Sequence, residues 1–370
     1  MRAAFFREVG KPLEIATVLD PTPAPDDVVI AVRRAGICGS DLHMTEYGFA
    51  PAGTVLGHEY AGEIVALGSA VTGGWKVGDR VTALPIHACG ECSACDHELW
   101  GLCSTGAFTG TRLDRPGAYA EFVAARGTML QRLPAGVSFD EGAMVEPLAV
   151  AYHAVEMARI EKGAAVLVIG AGPIGAAVTL FARLAGAGHV IVSERAEVRR
   201  QRALEVGATA VIDTSIENLG ERFQAIAGRP PEVVLECVGL PGLIQEGLSV
   251  AGVRARMVVV GVCFGEDRFQ PLTAIGKEVS LHFSQCYVEQ DFAAVIDLLA
   301  VGKADARPLH TRTIGFGDLP ITFEALRKAP EQCKVLIDPS RDRSVMRAKQ
   351  ETFNSSRTAR DQRWKHAPGE

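Results

Sequence analysis

The segment Val166-Leu-Val-Ile-Gly-Ala-Gly-Pro-Ile-Gly175 places a glycine-rich turn between an apolar strand and a helical stretch. Its glycines follow the spacing G-x-G-x-x-G. In such a unit Gly170 permits a tight turn, Gly172 lets a pyrophosphate approach the backbone, and Gly175 lets helix and strand pack closely. The unpaired amides at the helix N-terminus would then face the phosphates. Taken alone, such a spacing could mark only a turn, but between an apolar strand and a helix it predicts a dinucleotide site on a doubly wound parallel sheet.

Strand-like and helix-like stretches alternate on both sides of this turn. We predict strands over 165–169, 190–193, 210–213, 233–236 and 257–261, and helices over 196–206, 219–227 and 291–301. This alternation is typical of an α/β fold with a parallel sheet.

An acidic residue, Glu194, ends the second predicted strand about 20 residues beyond the turn, where a carboxylate can accept hydrogen bonds from the adenosine ribose. The alternative is that Glu194 is an ordinary surface charge with no part in cofactor binding. The carboxylate would repel a 2′-phosphate, so NAD is favoured over NADP, although the nearby Arg195, Arg199 and Arg200 weaken that preference. The other residues that we assign to the cofactor site are Pro173, Ile174, Arg199, Val238 and Val260.

The first 145 or so residues have a different pattern. Short apolar alternations over 28–32 and 62–67 are separated by proline and glycine, which predicts a β-rich, barrel-like domain with long loops.

Four cysteines, Cys89, Cys92, Cys95 and Cys103, fall within one short segment. Four thiolates at this spacing can close a tetrahedral shell around zinc and leave no open position, which makes the site structural. An iron–sulfur cluster is the main alternative.

The composition narrows the possible functions. The net charge of -6 over 370 residues disfavours a nucleic-acid partner. The apolar core after Met1 is too short for a signal peptide, and the uncharged stretch 164–182 is better explained by strand, turn and buried helix than by a membrane span. Nine cysteines without a disulfide pattern suit a cytoplasmic protein.

Residues 341–370 carry eight Lys or Arg against four Asp or Glu, and we expect a polar basic tail that is solvated or docks on an acidic surface.

Two further segments and one carboxylate carry residue types that bind metals. The segments are Gly36-Ile-Cys38-Gly-Ser40-Asp41-Leu-His43 and Gly57-His58-Glu59-x2-Gly62-x5-Gly68, and the carboxylate is Glu146. Taken singly, each has a plain explanation: a buried cysteine, a capped histidine or a helix-start carboxylate.

Together with the glycine turn and the cysteine cluster, in this order along the chain, these segments resemble the zinc-containing medium-chain alcohol and polyol dehydrogenases. The resemblance extends to about Pro339. It implies a GroES-like, β-rich catalytic domain over 1–147 and 282–340 and a Rossmann domain over 148–281, with the tail 341–370 outside it. It also implies one catalytic and one structural zinc per chain.

The resemblance assigns roles to single residues. Cys38, His58 and Glu146 match the catalytic zinc ligands, and Glu59 matches a carboxylate that approaches the metal directly or through water. Asp41 matches the residue that orients the ligand histidine, and Ser40 and His43 match a proton route.

The implied activity is hydride transfer between NAD and a secondary alcohol or vicinal diol, or the matching ketone, by a homodimer or homotetramer. The region 283–292 is closest to the butanediol-dehydrogenase-like branch and lacks the Arg-Tyr pair of sorbitol dehydrogenases. Substrate choice is expected to depend on loops over 44–50, 105–119 and 283–287. Two alternatives are a zinc-free quinone or enone reductase, and a non-catalytic NAD-binding or structural protein on the same fold.

Overall fold

A computed structural model describes residues 1–341 of the chain. The predicted tail, 341–370, lies outside the described residues apart from Arg341. The strands are β1 Arg2–Phe5, β2 Glu14–Thr17, β3 Asp27–Gly36, β4 Glu59–Leu67, β5 Arg80–Ala83, β6 Ile86–His87, β7 Ala107–Phe108, β8 Phe122–Arg126, β9 Leu130–Arg132, β10 Ala165–Ile169, β11 His189–Ser193, β12 Ala210–Ile212, β13 Val233–Glu236, β14 Arg256–Val259, β15 Ser280–Phe283, β16 His310–Ile314 and β17 Lys334–Ile337. The helices are α1 Gly39–Glu46, α2 Ser93–Asp96, α3 Phe139–Ala158, α4 Pro173–Leu184, α5 Glu197–Glu205, α6 Leu219–Ala227, α7 Leu243–Val250, α8 Pro271–Ile275, α9 Glu289–Ala300 and α10 Leu319–Ala325.

Six parallel strands form the predicted doubly wound sheet, in the order β12-β11-β10-β13-β14-β15. The five strands expected from the sequence are confirmed, with ends that differ by one or two residues. Every residue of the central strand β10 is buried, as expected for a strand covered on both faces. The sixth strand, β15, lies at an edge of the sheet, and the predicted 281/282 domain division passes through it.

The β-rich part is built on a seven-stranded sheet that joins distant parts of the chain. Strand β3 lies at its centre and pairs antiparallel with β4, β8 and β17. Because β17 comes some 300 residues after β3 along the chain, residues near 337 complete a sheet begun near residue 27. This long-range pairing carries a lysine, Lys334, into the interior.

A long helix, α3, links the two sheets. The Ser138 hydroxyl oxygen accepts a hydrogen bond from the Glu141 amide, and the Ser138 amide donates one to the Glu141 carboxylate, which completes a capping box. The helix continues through Pro147 although a proline removes one backbone hydrogen bond and disfavours helix at the preceding residue. Glu146 therefore lies in the middle of a buried helix, and its plain explanation as a helix-start carboxylate is wrong.

None of the helices within residues 1–341 combines the length and the apolar character that are needed to cross a bilayer. The uncharged stretch over 164–182 forms strand β10, the glycine turn and most of helix α4.

Candidate active site

A cavity of about 420 Å³ lies where the two sheets meet. One wall comes from α1, the start of β4 and α3. The opposite wall comes from the glycine turn after β10 and from the ends of β13 and β14. A dinucleotide and a small substrate can thus meet in one space, at the carboxyl ends of the parallel strands.

The glycine turn has the geometry that the sequence predicts. Gly170 adopts a φ of +90°, and a Cβ on it would lie 2.3 Å from a methyl carbon of Val238. A Cβ on Gly175 would lie 2.0 Å from the Gly170 carbonyl oxygen, whereas the space beside Gly172 is open to 4 Å. Pro173 is the first residue of α4 and lines the cavity with Ile174, Val238 and Val260.

Glu194 follows β11 and lies beside this turn. Its Oε2 accepts a hydrogen bond from the Ala171 amide at 3.0 Å, and its Oε1 accepts one from the Ala196 amide at 2.9 Å. A guanidinium nitrogen of Arg199 lies 3.9 Å from Glu194 Oε2, while Arg199 Nε donates to the Pro330 carbonyl at 3.3 Å. The carboxylate is therefore fixed at the edge of the predicted cofactor site with one arginine close to it.

Three predicted metal-binding residues converge on the other wall. One potential ligand atom each from Cys38, His58 and Glu59 lies within 4.8 Å of the other two. Cys38 precedes α1 as its N-cap residue, and His58 immediately precedes β4. The structure thus brings a sulfur, a nitrogen and an oxygen donor together from two separate segments.

The Asp41 carboxylate lies beside the His58 ring. Asp41 Oδ1 lies 3.5 Å from His58 Nδ1, and the Tyr119 hydroxyl donates to Asp41 Oδ2 at 2.6 Å. Burial alone would lower the pKa of His58, but the Asp41 carboxylate raises it well above its usual value. A Cβ on Gly57, whose φ is +99°, would lie 2.4 Å from the Tyr119 ring, so this compact arrangement requires a glycine before His58.

Glu59 is paired with a lysine. The ammonium of Lys334 donates to Glu59 Oε1 at 2.7 Å and to Oε2 at 2.8 Å, and also to the Ile37 carbonyl at 3.2 Å. Burial alone would lower the pKa of Lys334, but the charges of Glu59 and Cys38 raise it above its usual value. Gly36 faces Glu59 across the β3–β4 pair, and a Cβ there would lie 2.0 Å from the carboxylate.

Glu146 lines the same cavity from α3, although it is not one of the three residues whose ligand atoms cluster within 4.8 Å. The Tyr287 hydroxyl donates to Glu146 Oε1 at 3.0 Å. Burial, and secondarily the Glu59 carboxylate, raises the pKa of Glu146 to about 7.

Ser40 and His43 lie one helical turn apart on α1 and both line the cavity. The Ser40 hydroxyl donates to Cys38 Sγ at 3.2 Å and lies 3.5 Å from His58 Nε2. The His43 ring packs 5.1 Å from Phe264 at the mouth of the cavity and is about 45 % exposed. The pair therefore leads from the metal-binding residues toward solvent.

The four cysteines of the loop between β6 and β7 form a second cluster, with all four sulfurs within 4.8 Å of one another. The amides of Cys89 and Gly90 donate to Cys103 Sγ and Cys95 Sγ at 3.3 and 3.4 Å. The hydrogen bond from the Cys89 amide is the main cause that lowers the pKa of Cys103 to about 6. Within this four-cysteine lobe, burial raises the pKa of Cys95 to about 11, so the backbone amides favour a thiolate most clearly at Cys103.

Both clusters fit zinc. A tetrahedral site with Zn–S bonds of about 2.3 Å has S···S edges of about 3.8 Å. The sulfur pairs Cys92–Cys95, Cys92–Cys103 and Cys89–Cys95 lie 3.6, 3.8 and 3.9 Å apart. The mixed sulfur, nitrogen and oxygen donors in the cavity suit a zinc ion that keeps a position for a substrate.

Comparisons with known proteins point to the same chemistry. Residues 24–135 match the family described as the alcohol dehydrogenase GroES-like domain, and residues 173–301 match the zinc-binding dehydrogenase family. A sorbitol dehydrogenase from Halalkalibacterium halodurans is 36% identical over 326 residues, which cover 86% of this chain and 94% of the relative.

The chain belongs to the zinc-containing medium-chain dehydrogenases. The crystal structure of 2R,3R-butanediol dehydrogenase from Bacillus subtilis is similar to this member of the family, with a TM-score of 0.84 and 31% identity over 91% of this chain and 99% of that chain. A zinc-binding dehydrogenase from Sinorhizobium meliloti bound to NADP gives a TM-score of 0.85 and 30% identity, with coverage of 91% and 99%.

Membership of the zinc-containing medium-chain dehydrogenases confirms the predicted fold class and the predicted zinc-dependent, NAD(P)-linked oxidoreductase of the alcohol dehydrogenase type. It disfavours both alternatives, the zinc-free reductase and the non-catalytic protein.

Three residues were not assigned to this site individually, although Tyr119 and Tyr287 end two of the loops expected to shape the pocket. They are Lys334, Tyr287 and Tyr119, which contact Glu59, Glu146 and Asp41. The one available signal was a lysine at the start of the apolar run Lys334-Val-Leu-Ile337, where all four residues are buried. A charge at such a position requires a partner, but the sequence does not say which one.

Proposed function

We propose that this protein catalyses the reversible oxidation of a small, uncharged secondary alcohol or vicinal diol to the ketone, with NAD as the hydride acceptor. One observation carries the proposal: Cys38, His58, Glu59 and Glu146 border the same cavity as the glycine turn. Metal-binding side chains and a cofactor cradle that share a cavity are what direct hydride transfer requires.

Cys38, His58 and Glu146 are the proposed ligands of the catalytic zinc, and Glu59 is a further carboxylate beside it. When bound, zinc supplies Lewis acidity that favours loss of the substrate hydroxyl proton, and NAD supplies the hydride acceptor. Asp41 holds the His58 ring so that Nε2 faces the cavity. Lys334 neutralises Glu59, which keeps a second buried carboxylate near the site without an unpaired charge.

Ser40 is the proposed first acceptor of the substrate proton. Its hydroxyl lies beside both Cys38 and His58, and residues one helical turn apart share a face of α1, so His43 can carry the proton on to solvent. The Phe264 ring packs beside His43, whose side chain is about 45% exposed and can therefore exchange the proton with water.

The position of Glu194 supports NAD over NADP. Two backbone amides hold its carboxylate at the rim of the glycine turn, where it can bind the ribose hydroxyls and would repel a 2′-phosphate. Arg199 lies 3.9 Å from this carboxylate and would attract a 2′-phosphate, which weakens the preference for NAD.

The cavity lining supports an uncharged substrate. Among its described residues, Lys334 is the only lysine or arginine, and it is already paired with Glu59. Apart from the proposed zinc, a sugar phosphate or sugar acid would therefore find no unpaired lysine or arginine in this lining and would meet the Glu59 and Glu146 carboxylates. Ser284 and Gln285, after β15, both line the cavity, and the region 283–292 contains no Arg-Tyr pair, which supports a short diol over a long sugar alcohol.

We also propose that the protein forms a homodimer or homotetramer through β15. This strand ends the parallel sheet, so one side of its backbone is unpaired within the described chain. Apolar side chains beside it are exposed: Leu272 by 76%, Ile275 by 68% and Phe283 by 63%. We further propose that the protein is cytoplasmic, because its nine free cysteines suit a reducing compartment.

The decisive experiment measures zinc per chain and NADH formation with a panel of alcohols that includes butane-2,3-diol, sorbitol, xylitol and a sugar phosphate. We expect two zinc ions per chain and turnover of the short diol or a secondary alcohol. One zinc per chain without turnover of any alcohol would contradict the proposed activity, and preference for the sugar phosphate would contradict the proposed substrate class.

A further inference from the structure

Tyr287 stands at a turn between β15 and α9 and is 3% exposed. Its hydroxyl donates to Glu146 Oε1 at 3.0 Å, a contact between residues 141 positions apart in the chain. A tyrosine hydroxyl is protonated at neutral pH and can donate only one hydrogen bond. One oxygen of the Glu146 carboxylate is therefore engaged, and the other is not bonded by Tyr287.

The backbone just before Tyr287 is strained. Cys286 adopts a φ of +53°, which is uncommon for a residue with a Cβ, and such conformations persist only where the surroundings enforce them. The strained residue lines the cavity, and the chain direction that it sets leads directly into Tyr287.

The four-cysteine lobe supports this turn from outside the cavity. Gly101, in the lobe between Cys95 and Cys103, packs so closely that a Cβ on it would lie 3.2 Å from Cys286 Cβ and 3.8 Å from the Tyr287 carbonyl oxygen. Cys95, Trp100 and Cys103 also pack against the core cluster that contains Tyr287. Within the described chain, the lobe, the strained turn and Glu146 thus form one continuous set of contacts.

We propose that Tyr287 is a positioning residue that holds one oxygen of Glu146 and so presents the other to the catalytic zinc. The inference rests on the proposed function, in which Glu146 is a zinc ligand. Ligating carboxylates depend on such hydrogen bonds for their orientation, and removal of an outer partner typically weakens metal binding by about 10- to 100-fold.

The test measures the affinity of the full chain for Zn²⁺ at the catalytic site by competition with a chelator, with the four-cysteine zinc as an internal standard. Tyr287→Phe keeps the ring and removes only the hydroxyl. We expect it to weaken catalytic zinc binding at least about tenfold and to leave the four-cysteine zinc in place. It should also alter the visible spectrum of Co²⁺ bound at the catalytic site. An affinity within twofold of the original, with an unchanged Co²⁺ spectrum, would overturn the proposal.

The matched control is Tyr152→Phe. Tyr152 lies on α3, the helix that carries Glu146, and its ring packs edge-on against Phe181. This variant should bind zinc as the unaltered protein does. A loss equal to that of Tyr287→Phe would mean that any tyrosine hydroxyl near α3 matters and would overturn the specific role.

Two further variants separate the possible failures. Glu146→Ala must itself weaken catalytic zinc binding; if it does not, the ligand assignment in the proposed function fails together with this inference. If Glu146→Ala weakens binding and Tyr287→Phe does not, only the role of Tyr287 is overturned. If Tyr287→Phe does not fold, Gly101→Ala keeps the hydroxyl but pushes on Cys286, and it must weaken catalytic zinc binding severalfold while the four-cysteine zinc remains bound.

Discussion

Lys334 donates hydrogen bonds to both carboxylate oxygens of Glu59, and the two side chains are 4% and 0% exposed. Each charge lies in the interior because the other is there, since an unpaired ion in such a place would be strongly destabilising. The pair thus places a carboxylate next to Cys38 and His58, where it can respond to the charge of a bound metal.

Removal of one partner should therefore destabilise the protein. Lys334→Met leaves Glu59 as a buried, uncompensated charge, and we expect the free energy of unfolding to fall by about 3–5 kcal/mol. The double variant Lys334→Met/Glu59→Gln should recover much of this loss, because neither buried charge remains. Urea denaturation of the two single variants and the double variant measures the coupling; strictly additive losses would show that the pair is not a unit.

The two metal-binding clusters should respond differently to the loss of one thiolate. Cys38→Ser removes a proposed ligand of the catalytic zinc, and we expect kcat/KM to fall more than about 100-fold with little change in Tm. Cys95→Ser opens the four-cysteine shell and should lower Tm by more than about 5 °C, with loss of soluble protein. Metal analysis, calorimetry and NADH formation distinguish them, and similar behaviour of the two variants would refute separate roles.

Asp41 should affect zinc binding and catalysis through its contact with His58. Asp41→Asn replaces the acceptor beside His58 Nδ1 with an amide that can present its donor group, so the ring loses its fixed orientation. We expect catalytic zinc affinity or kcat to fall by about 10- to 100-fold. Tyr119→Phe, which removes only the hydrogen bond to Asp41 Oδ2, should have a smaller effect in the same direction. A larger loss in Tyr119→Phe than in Asp41→Asn would contradict this order of dependence.

Glu194 should set the cofactor preference. Glu194→Gln keeps an oxygen that can accept from the Ala171 amide but removes the charge that would repel a 2′-phosphate. The ratio of kcat/KM for NAD to that for NADP should fall at least about tenfold, since hydrogen bonds to a charged group contribute about 1.5–3 kcal/mol. Steady-state kinetics with both cofactors measure the ratio. An unchanged ratio would mean that Glu194 does not discriminate between them.

The assembly should depend on the exposed residues beside β15. Ile275→Asp places a charge at a side chain that is 68% exposed in the single chain and that we expect to be buried between subunits. Light scattering should then report a smaller species than for the unaltered protein. Leu19→Asp, at a residue that is 92% exposed and far from this strand in the sequence, serves as the control and should leave the mass unchanged. Equal masses for all three proteins would argue against assembly through this face.

The fold and most of the proposed site could be predicted because their signals are local. Gly170, Gly172 and Gly175 are read from a single turn, and the four cysteines lie within one loop. Lys334 and Glu59 could not be paired in this way, because 275 residues separate them and only the register of β17 on β3 brings them together. Likewise, the continuation of α3 past Glu146 could not be predicted, because Pro147 follows and a proline ordinarily marks a helix end.

The sheet that begins near residue 27 and is completed by β17 has a consequence for biosynthesis. While the ribosome is still making the parallel-sheet half, β3 can already pair with β4 and β8 but lacks β17, and Glu59 lacks Lys334. The parallel sheet can form first, because all its strands come before residue 284. The cavity is complete only after Lys334 has left the ribosomal exit tunnel. Pairing between strands so far apart in the chain slows folding. Until β17 is made, the side of β3 that will bind it stays exposed, and chaperones can be expected to bind there.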